Sequence, residues 1–359
     1  MKPNGKTKLV LQDGREFTGT GFGASGTPVV GELVFNTSMV GYQEIISDPS
    51  YKGQIVVMTY PLMGQYGIMA EDYESRSAGL AGLIVRECCE SPSNFRFTKT
   101  LSEELSEHGV PGIEGLDTRM LTHIIADEGS MKAAIVDDSV SRDEALKLIE
   151  ASRNQSCSLK EVSCTKRWFS RTPQHNFDVV VLDCGLKHST VSALNRLGCN
   201  VTIVPFDTKP EEINAFNPDG LLIAGGPSDP AELDDIVNVI KAFIGKIPVV
   251  GTGLGHLLIA RAFGAKTVKM KCGHHGGRPI RNLDTLKICT AEHNHNYCVD
   301  EASLKGSDLK VIFKDVADGT VEGLCSTDRK VLSVQFCPEG GPGPEETDFF
   351  GQFVKLMEE

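Results

Sequence analysis

The chain reads as an α/β protein in two parts, an N-terminal mixed α/β domain followed by a domain built on an open, largely parallel sheet. Three observations carry this reading. Strand-like apolar runs with few helical segments occupy residues 1–150. Residues 151–176 (ASRNQSCSLKEVSCTKRWFSRTPQHN) then lose the periodic apolar pattern and gain Ser, Lys, Arg and Gln, as a linker does. Across residues 177–359 near-continuous apolar strands alternate with amphipathic helices, which implies a parallel sheet covered on both faces, with its crevice at the carboxyl ends of the strands.

The first domain opens with KLVLQDGREFTGTGFG, two runs around Asp13-Gly14, a hairpin signal because Asp-Gly populates the positive-φ turn that matches strand twist. LVFNT and QIVVMTY read as strands joined by a Gly/Asp/Pro-rich connection, and GLAGLIVREC adds a further apolar run. SEELSEHG is a helix, and DTRMLTHIIADEG is a second, with Asp117 as N-cap and Gly129 as its stop, before the strand KAAIV. In the second domain the pairs are VVVLDCG with STVSALNRLG, NVTIVPF with PEEINAF, GLLIAGG with AELDDIVNVIKAFIG, and PVVGTG with LGHLLIARAFG. A β-rich stretch follows, and TDFFGQFVKLMEE closes the chain as a helix.

Bulk properties narrow the partners. With 359 residues, of which 40% are hydrophobic, both domains can bury a core, and a net charge of −12 offers no basic footprint for nucleic acid or an anionic membrane. No apolar run approaches the ~20 residues of a membrane span, and the start lacks a signal-peptide core, so a cytoplasmic protein is expected. Eleven cysteines, scattered and odd in number, with Cys184, Cys289 and Cys325 inside apolar runs, suit reduced core thiols better than disulfides.

Four segments fall at strand ends of the second domain, where a crevice forms. AGGPSDP (224–230) is a Gly-Gly-Pro turn that exposes backbone N–H groups to an oxyanion, with Ser228 and Asp229 as capping candidates. IPVVGTGLGHLLIA (247–260) is a buried strand running through a tight Gly-x-Gly-x-Gly turn into a helix. Such an elbow normally presents one reactive side chain at a strained position, between small flanking residues. Gly251 and Gly255 supply the flanks, but the central Gly253 carries no oxygen or sulfur. TAEHNHNYCVD (290–300) gathers two histidines and two asparagines, and QFCPEGGPGPEETD (335–348) ends a strand at Cys337-Pro338-Glu339. A thiol needs a histidine oriented by a carboxylate to attack an amide. Here a carboxylate is present without the His-Pro-Glu order that would complete it.

The stretch PVVGTGLGHLLIARAFGAKTVKMKCGHHGG closely resembles the class I (triad) glutamine amidotransferase domain of carbamoyl-phosphate synthetase small subunits, and LVLQDGREFTGTGFG, GELVFNTSMVGYQEIISDPSYKGQIVVMTYP and GLDTRMLTHII resemble that family's N-terminal domain. The resemblance implies that Gly253 stands at the nucleophile position, Cys337 at the base position, and Glu339 at the orienting carboxylate. It implies a glutamine pocket at Ser38, Gly226, Leu254, Asn294 and Tyr297. Three further pocket positions depart: Ser228 and Asn296 replace glycine, and Leu257 replaces glutamine.

It follows from the resemblance that the chain is a small subunit deficient in glutaminase, supporting ammonia-dependent carbamoyl phosphate synthesis for pyrimidines or arginine by a large subunit, which holds the ATP and Mg2+. No phosphate loop occurs on this chain and no cofactor of its own is expected. Glutamine or another small molecule is the candidate pocket ligand. The alternative is a relocated amidohydrolase with Cys337 as nucleophile and His293 or His295 as base. Cys272, His274, His275, His293, His295 and Cys337 are also metal-ligating types. Their spacing matches no regular motif, and KMKCGHHGG resembles an ordinary structural segment of the family, so the expectation is no metal.

Overall fold

The computed structural model describes residues 4–76, 78–152, 158–340 and 347–359. It divides into two units, Met1–Ser156 with Lys271–His275, and Cys157–Met270 with Gly276–Glu359. Among the described residues no helix is long and apolar enough to cross a membrane.

The first unit runs β1 (Asn4–Leu11), β2 (Glu16–Gly23), β3 (Val29–Asn36), α1 (Tyr42–Ser47), β4 (Gln54–Met58), β5 (Leu62–Met63), β6 (Gly82–Ile84), β7 (Glu87–Cys88), α2 (Leu101–Glu107), β8 (Pro111–Glu114), α3 (Thr118–Glu128), β9 (Met131–Asp137) and α4 (Arg142–Ala151). Seven strands close a barrel in the order β1-β2-β8-β6-β4-β3-β9, and antiparallel pairing of β9 with β1 seals it. Closure leaves no unpaired edge in that sheet. Alternation along β1 explains how both faces are filled: Leu9 and Leu11 pack with Leu121 and Ile125 of α3, while Val10 packs with Ala145 and Ile149 of α4. α3 has the expected ends, since the Asp117 side chain accepts from the Met120 N–H and Gly129 adopts φ 99°. The helix α4 is additional to the sequence reading, although Ser141 and Glu144 form the capping box that announces it.

The second unit contains β10 (Trp168–Ser170), β11 (Phe177–Asp183), α5 (His188–Arg196), β12 (Cys199–Pro205), α6 (Pro210–Asn214), β13 (Gly220–Ile223), α7 (Asp234–Phe243), β14 (Val249–Thr252), α8 (Leu254–Ala262), β15 (Thr267–Asn282), β16 (Ile288–Val299), β17 (Lys310–Asp315), β18 (Val321–Ser326), β19 (Val331–Val334) and α9 (Phe349–Glu358). The sheet order is β10-β12-β11-β13-β14-β19-β18-β16-β15-β17. Its centre, from β12 through β19, is parallel. Both faces are covered: Val179 and Val181 of β11 pack with Leu194 of α5 and Phe353 of α9, whereas Val180 and Leu182 pack with Ile240 of α7 and Leu258 of α8. That two-sided burial is why these strands are continuously apolar.

Two expectations change. The segment 151–176 is more than a connection: its residues 153–157 lie outside the described residues, but Trp168–Ser170 pair antiparallel with β12 as an edge strand. Trp168 and its neighbours are too short a run to show alternation. The ten described cysteines are free thiols, as expected, but they are not uniformly core. Cys184 and Cys199 are buried, and burial pushes the Cys199 thiol up to about 12, whereas Cys289 is exposed and Cys325 only partly covered.

Candidate functional site

The elbow exists as a backbone. β14 ends at Thr252, α8 begins at Leu254, and Gly253 between them adopts φ 54°, ψ −114°, outside the left-handed helical well, a conformation that glycine adopts freely and a side chain only under strain. Its N–H donates to the Val334 carbonyl at 2.9 Å, which ties the turn to β19. The flanking glycines are required by close approach: a Cβ on Gly251 would stand 2.7 Å from the carbonyl carbon of Gly255, and one on Gly255 would overlap the Ile223 carbonyl. Gly253 differs. A Cβ there would meet Gly225 Cα at 3.4 Å, an ordinary contact. The position is open to a side chain and strained only in its backbone.

Beside the elbow, Gly226 must be small because a Cβ would overlap the Cys184 carbonyl and reach Leu254 Cδ2 at 3.3 Å. Asp229 caps the following turn, accepting from the Ala231 N–H at 2.8 Å, and its other oxygen accepts from the Tyr297 hydroxyl at 3.0 Å. This bond joins the Gly-Gly-Pro turn to β16, which carries Asn294, Asn296 and Tyr297. Ser228 and Asn296 are buried. Leu257 does not face open space. It is 3% exposed and packs with Ala260, Val299, Leu304 and Leu324, with Tyr297 against the same cluster. Ser38 belongs to the first unit, in the loop between β3 and α1, where its N–H donates to Asn36 Oδ1 at 2.7 Å.

Cys337 forms an isolated bridge with Glu292, its N–H donating to the Glu292 carbonyl at 2.8 Å. Two residues on, the Glu339 carboxylate accepts from the Thr190 hydroxyl and faces Lys187 Nζ at 3.3 Å. Both groups sit at the start of α5. Sequence reasoning missed Lys187 and Thr190, although they follow directly on the strand end VVVLDCG. Residues 341–346 of the expected Gly/Pro turn lie outside the described residues.

The histidines are held in place by the strands that carry them. His293 Nδ1 lies 3.0 Å from the Ala291 carbonyl, and His295 Nδ1 lies 2.9 Å from the Tyr297 carbonyl. Both turn Nε2 toward Glu322. On α8, His256 is fully buried with Nδ1 3.0 Å from Ser333 Oγ, and burial holds its basicity down at about 4. It stays neutral near pH 7.

Residues 9–135 match the family model described as carbamoyl-phosphate synthase small chain, CPSase domain, and residues 180–357 match glutamine amidotransferase class-I. The chain is 43% identical over 360 residues to the carbamoyl phosphate synthase small chain of Staphylococcus epidermidis, covering 99% of this chain and 96% of that protein. The chain belongs to the carbamoyl phosphate synthase small chain family. Small chains of Methanosarcina acetivorans (42% over 370 residues, 98% and 99% coverage) and Archaeoglobus fulgidus (43% over 357 residues, 99% of each) are similar to the same extent. The amidotransferase domain that the resemblance implied is therefore present in this chain, and the glycine elbow lies inside it.

Proposed function

We propose that this small chain is deficient in glutaminase and acts as a non-catalytic partner of a carbamoyl phosphate synthase large subunit, supporting synthesis from free ammonia. One observation carries the reading: Gly253 occupies the strained apex of an otherwise complete strand-to-helix elbow and offers no nucleophile. The absence of an imidazole at Cys337 and the engagement of Glu339 by Lys187 and Thr190 support it. The large subunit supplies the ATP and Mg2+ sites, for which this chain has no phosphate loop. Pyrimidine or arginine synthesis is the expected setting.

The rival site at Cys337 gains no support from His293 and His295. Each ring already directs one nitrogen at a backbone carbonyl and the other at Glu322. The test is glutamate release from glutamine by the purified chain, alone and with the large subunit of the same genome, together with carbamoyl phosphate formation from ammonia. Co-elution with the large subunit, ammonia-dependent synthesis and no glutamate release are expected. Glutamate release abolished by Cys337→Ala would overturn the proposal in favour of the relocated site, and separate elution without effect on synthesis would remove the partner role.

A further inference from the structure

His293 and His295 stand two apart on β16, and so project from one face of the strand. Glu322 lies on β18, which pairs with β16 through Val299 and Val321. The three side chains are 0%, 4% and 0% exposed. Because a carbonyl oxygen only accepts, the contacts to Ala291 and Tyr297 place the ring proton on Nδ1 in both histidines. Nε2 is then the atom each presents to Glu322 Oε2, at 3.3 Å from His293 and 3.7 Å from His295. The second carboxylate oxygen, Oε1, lies 2.9 Å from the Thr320 hydroxyl, which is shared with Asp318 Oδ1 at 2.8 Å. All three donor atoms lie within 4.8 Å of one another.

Two imidazole nitrogens and a carboxylate oxygen converging in a buried space form a donor set that a cation can join. A proton on one imidazole would form a charge-assisted hydrogen bond, whose N–O distance is about 2.7–2.9 Å, and would serve only one ring. The observed separations are longer and are shared by both rings. A tetrahedral ion with bonds of about 2.0–2.2 Å holds its ligand atoms roughly 3.3–3.6 Å apart. The geometry points to a divalent transition-metal site formed by His293 Nε2, His295 Nε2 and Glu322 Oε2. Two imidazoles with one carboxylate suit Zn2+ or a neighbouring borderline ion better than Mg2+ or Ca2+, which take oxygen ligands. The Nδ1–carbonyl bonds are the outer contacts such a site uses to fix ligand orientation.

This departs from the sequence expectation of no metal. The irregular Cys/His spacing gave no sign of Glu322, which arrives from another strand. A metal here clamps β16 to β18 and sets the position of Asn294, which lies between the two histidines, and of Asn296 and Tyr297 beyond them. The role is structural.

The experiment uses the full chain purified without chelator, with metal content read by plasma mass spectrometry. The stripped protein is then titrated with Zn2+ against a chromophoric chelator and followed by thermal melting. Near one equivalent of metal per chain and a higher melting temperature with Zn2+ are expected. Glu322→Gln and His293→Gln should each weaken Zn2+ binding by at least the ~10–100-fold that loss of an outer-shell partner costs. Since those variants risk misfolding, Co2+ substitution of the unmodified chain provides a second readout, the visible bands of a tetrahedral nitrogen and oxygen site. Wild-type protein holding less than about 0.1 equivalent, with no melting shift in excess Zn2+, overturns the proposal. So does Zn2+ affinity unchanged in folded His293→Gln/Glu322→Gln protein.

Discussion

Lys187 Nζ and Glu339 Oε2 stand 3.3 Å apart, with side chains 11% and 3% exposed. The carboxylate at the position where the family orients its base is thereby committed to an ammonium and, through its other oxygen, to the Thr190 hydroxyl. In this chain Glu339 ties the segment after β19 to the start of α5.

Removing one member of this pair should leave a nearly buried charge without compensation, which costs about 3 kcal/mol. Glu339→Gln is therefore expected to lower the urea midpoint sharply. Lys187→Met/Glu339→Gln should recover most of the loss, because a neutral pair of similar volume leaves no uncompensated buried charge. Equal destabilisation in the single and double variants would show that the ion pair is not what Glu339 contributes.

The elbow glycines are predicted to separate by mechanism. Gly253→Ala meets only an ordinary contact at 3.4 Å and pays for backbone strain alone, about 1–3 kcal/mol. Gly255→Ala drives a methyl into the Ile223 carbonyl and should cost more, or prevent folding. Chemical denaturation of the two variants side by side checks the order, and a neutral Gly253→Ala would mean that the apex is not strained.

The elbow was legible in the sequence because its glycine spacing follows from close approach, which Gly251 and Gly255 confirm. The alternating strands and helices of the second unit were legible because two-sided burial of β11 forces continuous apolar character. Barrel closure was not, since nothing local in β1 or β9 records that they pair across more than a hundred residues. Among site residues, Lys187 and Glu322 were missed for the same reason: each acquires its role from a partner on a distant strand or loop. Leu257 was placed by resemblance in a pocket, yet its side chain belongs to an apolar cluster.

That placement changes what Leu257→Gln should do. The amide would be buried beside Ala260, Val299 and Leu324, and leaving it unpaired costs about 1–3 kcal/mol. A lower melting temperature is expected, with no gain in glutamine affinity by calorimetry. Tighter glutamine binding without loss of stability would show instead that the side chain at 257 turns toward a ligand.

His256 gives a pH dependence with a definite sign. Its folded-state basicity is about 4 against 6.5 for the free side chain, because burial disfavours the cation. The unfolded chain therefore binds more protons between these values, and stability is full above pH 6.5 and is lost as pH falls toward 4, by roughly 3 kcal/mol in all. In His256→Asn, whose amide still reaches Ser333, urea unfolding at successive pH values should show a flatter slope across this window than the unmodified chain. Parallel slopes would assign the acid sensitivity elsewhere.

Supplying a nucleophile and a base tests the proposal that this chain is deficient in glutaminase. Gly253→Cys places a thiol where a Cβ fits, and Cys337→His returns an imidazole two residues from Glu339. The carboxylate remains engaged by Lys187 and Thr190, so the new histidine lacks the partner that fixes its tautomer and stabilises its cation. In a comparable triad hydrolase, removing the carboxylate alone costs about 3 × 10⁴ in kcat. The double variant is accordingly expected to release glutamate above the unmodified chain but roughly 10⁴-fold more slowly than a complete triad. Steady-state glutamate release, compared with an active small chain under the same conditions, measures the gap. Turnover within about tenfold of that enzyme would mean that Glu339 readily leaves Lys187 for the new imidazole, and that the loss of Gly253 and Cys337 chemistry alone separates this chain from an active glutaminase.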